Sequence, residues 1–303
     1  MTSQNDPQSQ LTFANPVTRH EDLQIPEQSQ PEPGLDADLM PKPDRGETTY
    51  RGTGRLKGRK ALVTGGDSGI GAAVAIAFAR EGADVALGYL PAEEEDAQKI
   101  RELIEAEGRT AACLPADISS SEAARQLVND AAEALGGLDI LVNNAGHQKS
   151  TASFEELSDE QLRETFDTNI LAMFWTSQEA LKHLPEGSSI INSTSVQAYQ
   201  PSKDKIDYAS TKAAINNFTK GLAQYLAPKG IRVNAVAPGP IWTPLQVQGG
   251  QQTEDLPDFG KQTALGRAGH PVELAPAYVF LASPESSYVV GETLNVNGGM
   301  PTP

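Results

Sequence analysis

From Lys60 onward, short apolar runs alternate with longer stretches in which apolar residues recur every three or four positions. The runs fall at 61–64, 84–88, 110–114, 140–143, 189–192, 232–236 and 293–296. Runs of this length fit strands, and the amphipathic stretches between them, such as 73–81, 97–107 and 122–135, fit helices. Strand and helix in strict alternation predict βαβ units and a mainly parallel sheet with helices on both faces, a doubly wound α/β domain of the Rossmann type. No shorter internal repeat is superimposed on it.

The first 55 residues do not share the pattern. Residues 1–50 hold nine acids against three bases, a net of −6, and seven of the 21 prolines. Such a segment has little to bury. Residues 1–30 are therefore expected to form a disordered solubilising tail. Between Pro33 and Gly54, the residues Leu35, Leu39, Met40 and Tyr50 stand among Pro41, Pro43 and Gly46, which suggests an extended arm laying apolar anchors on its own or a neighbouring subunit. Deletion to residue 54 is expected to weaken the oligomer, and deletion of 1–30 to leave it intact. The organisation expected is thus a polar tail and arm over 1–55 and one domain over 56–303.

A chain of 303 residues with 38% apolar content can bury a sizeable core. Its net charge of −16 excludes nucleic acid and anionic membrane as natural partners, since both repel it. A small neutral molecule suits it better. No apolar run approaches the roughly 18 residues that would span a bilayer. The start lacks a basic, apolar leader, and Cys113, the one cysteine, has no intramolecular partner. A cytoplasmic protein is expected. His20, His183 and His270 make no cluster with metal-ligand spacing, so no metal is expected.

Two stretches carry candidate chemistry. The first, Ala-Leu-Val-Thr-Gly-Gly-Asp-Ser-Gly-Ile-Gly, ends at Gly71, follows a predicted strand and opens a predicted helix. Glycines there allow a tight turn and bring backbone N–H groups toward a diphosphate at a helix N-terminus. The second runs from Ser195 to Lys212. Tyr208 and Lys212 lie one helical turn apart on a shared face. An ammonium beside a phenol favours the phenolate, lowering a pKa that starts near ~10, as general acid/base work requires. Ser195 follows an apolar run and can donate to an oxygen held by the tyrosine.

With Thr64-Gly65-x-x-x-Gly69-x-Gly71, Asn143-Asn144-Ala145-Gly146, Asn169, Ser195, Tyr208, Lys212 and Pro238-Gly239, the chain over about residues 56–300 resembles the short-chain dehydrogenase/reductase family. Its arm and its Gly-Gly-Asp-Ser-Gly-Ile-Gly run further resemble a bacterial subgroup of oxidoreductases of loosely defined substrate. The resemblance implies Asn169, Ser195, Tyr208 and Lys212 as the catalytic set, with Asn169 holding a water in line with the lysine. It implies Gly65, Ser68, Gly69, Ile70 and Gly71 against the dinucleotide, Asp117 and Ile118 at the adenine, and Asn143, Ala145 and Gly146 across the sheet edge. Tyr208 and Lys212 would also hold the nicotinamide ribose, and Pro238, Gly239, Ile241 and Thr243 the carboxamide. Residues 243–267 would form a mobile substrate lid, with His147, Gln148 and Gln197 facing substrate beside Ser195. Asn297 stands where the family commonly has aspartate.

The activity implied is NAD(P)-dependent hydride transfer to or from a small alcohol or carbonyl compound, by a homotetramer assembled through the helices bearing Asn169 and Tyr208. The second strand ends Ala-Leu-Gly-Tyr-Leu-Pro, without an aspartate for a ribose hydroxyl or an arginine for a ribose phosphate. Asp67 and the acids of 93–96 disfavour a 2′-phosphate, so NAD is expected over NADP. A dinucleotide sensor or scaffold that has lost turnover, and a sugar-nucleotide epimerase or dehydratase, are the competing readings. The full catalytic set speaks against the former. The glycine spacing and the lack of a large C-terminal substrate domain speak against the latter.

Overall fold

The computed structural model describes residues 9–20 and 23–302. Seven parallel strands form one sheet: β1 (Lys60–Thr64), β2 (Asp84–Tyr89), β3 (Ala111–Pro115), β4 (Ile140–Asn143), β5 (Ser189–Ser193), β6 (Arg232–Pro238) and β7 (Thr293–Val296). Their order is β3-β2-β1-β4-β5-β6-β7, and each predicted strand appears within a residue or two. The helices are α1 (Gly69–Arg80), α2 (Glu94–Ala106), α3 (Ser121–Leu135), α4 (Asp159–Phe166), α5 (Ala172–Ala180), α6 (Ile206–Leu226) and α7 (Ala275–Ala282). This is the Rossmann-type doubly wound fold expected.

Both sheet faces are covered, which explains why the strands are apolar at successive positions rather than alternate ones. Successive side chains of a strand point to opposite faces. Ala61 and Val63 accordingly pack with α1, α2 and α7, while Leu62 packs with α3 and with Ala180, Ala223 and Leu226 on the other face. The strand order reverses between β1 and β4, and ligands of such folds bind beyond the carboxyl ends of the strands at that point.

The arm folds back on its own chain. Tyr50 and Leu39 are fully buried, whereas Met40 is exposed. Tyr50 donates to Glu81 at the end of α1 over 2.8 Å, and Arg55 forms an ion pair with the same carboxylate at 2.7 Å. Asp36 accepts the Gly69 N–H at 2.9 Å and pairs with Arg45 at 2.9 Å, so the first turn of α1 is capped from the arm rather than by Ser68. The expected tail over 1–30 needs correction in part. Residues 1–8, 21 and 22 lie outside the described residues, but Ile25 packs with Leu39, Trp242 and Val247, and Leu23 joins them. Hydrogen bonds add to these contacts: Gln10 with the Arg51 backbone, Arg267 with the Pro16 carbonyl, and the Gln30 N–H with the Val247 carbonyl at 3.0 Å.

Candidate active site

One cavity of about 510 Å³ runs along the carboxyl ends of the strands. Its nucleotide end is the turn after β1. Gly65 has φ +63° and Gly69 φ +49°, conformations that strain any residue with a Cβ. A Cβ on Gly71 would lie 1.7 Å from the Gly65 carbonyl oxygen, so that glycine lets strand and helix meet. Gly65, Ser68, Gly69, Ile70, Asp117, Ile118, Ala145 and Gly146 line the cavity as expected. An open glycine turn at the head of a helix fits a diphosphate.

Gly71 and Asn143 do not line it. Gly71 is enclosed against the Gly65 backbone, and Asn143 turns into the protein, where it donates to Asn192 at 3.0 Å and accepts from Thr176 at 2.8 Å. Both support the site without facing it. Asn144, part of the Asn143–Gly146 motif but given no role from sequence, ties the two halves together, its side-chain amide donating to the carbonyls of Thr64 and Gly65 at 3.1 and 3.2 Å.

At the other end Ser195, Tyr208 and Lys212 converge. Tyr208 and Lys212 are buried on α6, with the Lys212 Nζ 5.2 Å from the Tyr208 ring centroid. Lys212 also donates to the Ser193 carbonyl at 3.1 Å. Burial pushes the Tyr208 phenol up to about 12, and a hydrogen bond from Ser195 works against it. Burial lowers Lys212 to about 8. The expectation that Lys212 lowers the Tyr208 pKa is therefore not met in the protein alone: burial raises the phenol, and the group that works against it is Ser195 rather than the ammonium.

Asn169 does not line the cavity either. It is buried in a π-helical turn, Asp167–Leu171, between α4 and α5. It donates to the His147 carbonyl and to Thr211, at 2.9 and 3.1 Å. Asn169 Oδ1 and Lys212 Nζ both border Gly146, on which a Cβ would lie 3.4 Å from the one and 3.7 Å from the other. Pro238, Gly239, Ile241, Thr243, His147, Gln148 and Gln197 also line the cavity.

Sequence reasoning missed two groups. Glu32, Pro33 and Gly34 of the arm form one wall, facing Gln248 of the 243–267 segment, whose side-chain oxygen accepts the Gly34 N–H at 2.5 Å. An arm legible only as an extended, anchored segment gave no register against the pocket. The 243–267 segment contributes Gln246, Gln248, Gln251 and Gln262, so that wall of the cavity is rich in amides. Burial, then the neighbouring Glu93, raises Asp67 well above the ordinary carboxylate range, and burial also raises Glu93.

A family model described as enoyl-(acyl carrier protein) reductase matches residues 65–301. An uncharacterised oxidoreductase of Escherichia coli, YghA, is 57% identical over 285 residues, covering 94% of this chain and 97% of that protein. The chloroplastic NADPH-dependent aldehyde reductase 1 of Arabidopsis thaliana is 44% identical over 274 residues, covering 88% of this chain and 95% of the relative. Among solved structures, a short-chain dehydrogenase from Burkholderia cenocepacia in complex with NADP is 39% identical and superposes with a TM-score of 0.75, covering 81% of this chain and 98% of that one. With glycine turn, Ser-Tyr-Lys cluster and sheet order on one scaffold, the chain belongs to the short-chain dehydrogenase/reductase family and is an oxidoreductase of that type.

Proposed function

We propose that the protein transfers a hydride between NAD and a small polar alcohol or carbonyl compound, with Tyr208 as general acid/base, Ser195 orienting the substrate oxygen and Lys212 supplying positive charge. The observation that carries this reading is that Ser195, Tyr208 and Lys212 line the same cavity as the glycine turn, with the Lys212 Nζ 5.2 Å from the Tyr208 ring centroid. The dinucleotide, when bound, gives or accepts the hydride. Gly65, Ser68, Gly69 and Ile70 would hold its diphosphate, Asp117 and Ile118 its adenine, and Pro238 to Thr243 its carboxamide.

Tyr208 at about 12 is protonated at neutral pH and ready to donate, which suits reduction of a carbonyl. Oxidation of an alcohol needs the phenolate, and there the Lys212 charge is required. At about 8, Lys212 is still mostly ammonium at pH 7. Ser195 holds the oxygen that becomes or ceases to be a hydroxyl. Asn169 acts through its neighbours, fixing His147 and approaching Lys212.

NAD is preferred because the nucleotide end presents Asp67 and Glu93, and among the described residues the lysines lining the cavity, Lys205 and Lys212, belong to the substrate end. The NADP and NADPH in the relatives' names stand against that preference, so the ratio of KM values decides it. A homotetramer is supported by Leu171, Phe174, Ile206 and Tyr225, apolar or aromatic side chains left exposed on α6 and around α5. A cytoplasmic setting is supported by the acidic composition, and no helix among the described residues is long and apolar enough to cross a membrane.

The test is absorbance at 340 nm with NAD and NADP across aldehydes, ketones, sugars and secondary alcohols. Turnover with a KM for NAD below that for NADP is expected. Dinucleotide binding without turnover on any of these compounds would replace the enzyme with a sensor.

A further inference from the structure

We propose that Glu32, His147 and Glu164 form a divalent-cation site that staples the N-terminal arm across the substrate mouth of the cavity. The three come from separate elements: the arm, the loop after β4, and α4. Each offers one ligand atom, and these atoms lie within 4.8 Å of one another. Sequence spacing could not show this, because the residues meet only through the fold.

Two further observations point to a bound cation. First, His147 is buried, its Nε2 has no hydrogen-bond partner, and its Nδ1 lies 3.8 Å from the Glu164 carboxylate, beyond hydrogen-bond reach. The nitrogen that faces Glu164 is therefore the one open to a cation, in the tautomer that carries its proton on Nε2. Its backbone, by contrast, is held rigidly by Asn169, through bonds of 2.7 and 2.9 Å. Second, among the described residues, Glu32 makes no ion pair, and Glu164 makes none beyond that contact with His147. Two carboxylates and an imidazole nitrogen converging within 4.8 Å make a donor set of the size a divalent ion needs. Lys149 packs near Glu32 against Gly249 but pairs with neither acid.

One imidazole and two carboxylates suit a borderline divalent ion such as Mn²⁺ or Zn²⁺ better than Ca²⁺, which favours an all-oxygen shell. With metal–ligand distances of about 2.0–2.2 Å, donors lie no more than about 4.4 Å apart. Contraction by a few tenths of an ångström is within reach of two exposed glutamates. Neither Tyr208 nor Ser195 belongs to the donor set, so the ion's role is to hold the arm. It stands apart from the proposed hydride chemistry and survives its failure.

The experiment uses the full-length protein freed of metal with a chelator and titrated with Mn²⁺, followed by the loss of free-ion paramagnetic resonance signal, and then with Zn²⁺ by calorimetry. One ion per chain is expected. Glu32→Gln, Glu164→Gln and His147→Asn should each weaken binding about tenfold or more, while Glu102→Gln, exposed on α2, should not. Mn²⁺ should also slow proteolysis of the arm in the unaltered protein and leave the rate unchanged in Glu32→Gln. Because the two glutamates are exposed, these variants keep the fold. Absence of stoichiometric binding of either ion up to millimolar concentration, or binding that Glu32→Gln and Glu164→Gln leave unchanged, overturns the proposal.

Discussion

Asn169 grips the backbone of His147 from both sides, accepting its N–H at 2.7 Å and donating to its carbonyl at 2.9 Å. A third bond, to Thr211 at 3.1 Å, ties the same amide to α6 one residue before Lys212. The π-helical turn at Asp167–Leu171 inserts an extra residue into the helix and turns Asn169 inward. Asn169→Ala strands the His147 backbone groups in a buried place and should cost about 2–4 kcal/mol, read from urea unfolding. Turnover should fall more than dinucleotide affinity. Asn169→Asp, which can accept but not donate, should recover only the bond from the His147 N–H and therefore part of the stability. Equal stability of Asn169→Ala and the parent would show the clamp to be idle.

The alternation of apolar runs and amphipathic stretches was enough to read the sheet, because burial on both faces leaves each strand a compact apolar block. The glycine turn was legible for a related reason: few residues tolerate the φ of Gly65 and Gly69. What escaped was orientation. Nothing in the sequence tells whether Asn143 faces a ligand or its neighbour Asn192, since both are polar groups at the end of a strand. The pKa of Tyr208 was misjudged because helical spacing reports a nearby ammonium but not the depth of burial that sets the phenol. The arm's place along the pocket depends on contacts such as Asp36 with Gly69, between parts of the chain with no shared pattern.

Tyr208→Phe removes the proton donor while leaving the ring packed on α6. Turnover should drop by about 10²–10⁴, the usual contribution of general acid/base catalysis. The dissociation constant of the dinucleotide, from quenching of tryptophan fluorescence, should change little. With the phenol at about 12, reduction should hold its rate across neutral pH, and oxidation should be the direction that gains as pH rises. Undiminished turnover in the variant would remove Tyr208 from the mechanism.

Glu81 anchors the arm. It accepts from the Tyr50 hydroxyl at 2.8 Å, from the Thr53 and Arg55 N–H groups at 2.8 and 3.0 Å, and from the Arg55 guanidinium at 2.7 Å. Burial raises its pKa, but the bonds from Arg55, Thr53 and Tyr50 together outweigh it and bring Glu81 down to about 2. A carboxylate held low in the folded state stabilises it above the unfolded pKa near 4.5, and that contribution is lost as pH falls toward 2. Proteolysis within the arm should therefore accelerate on acidification through this window. Glu81→Gln should cut quickly at neutral pH too, and with less change on acidification. Identical cleavage rates for parent and variant at pH 7 would mean that the arm is held elsewhere.

Lys212 should show a conflict between stability and chemistry. Its folded pKa of about 8 lies below the 10.5 of an ordinary lysine because burial disfavours the charge. Between those values the unfolded chain holds a proton that the folded chain has released, so folding becomes more favourable as pH rises from about 8 to 10.5. Tyr208 acts in the opposite sense, but only above pH 10, where the folded protein keeps a phenol proton that the unfolded chain gives up. Burial likewise raises the Cys113 thiol above its ordinary 9.0, which opposes the trend from pH 9, so the clean window in the parent is pH 8–9. The comparison of parent with variant, in which Cys113 cancels, extends to pH 10. Lys212→Met removes the buried charge and leaves the Ser193 carbonyl without its donor, a smaller loss than the cost of an uncompensated ammonium. In the absence of dinucleotide the variant should melt at a higher temperature than the parent at pH 7, with the gap narrowing toward pH 10, and it should have no measurable turnover. A parent that melts at the same temperature throughout pH 8–9, with a variant that is less stable at pH 7, would mean that the Lys212 charge is compensated within the protein itself.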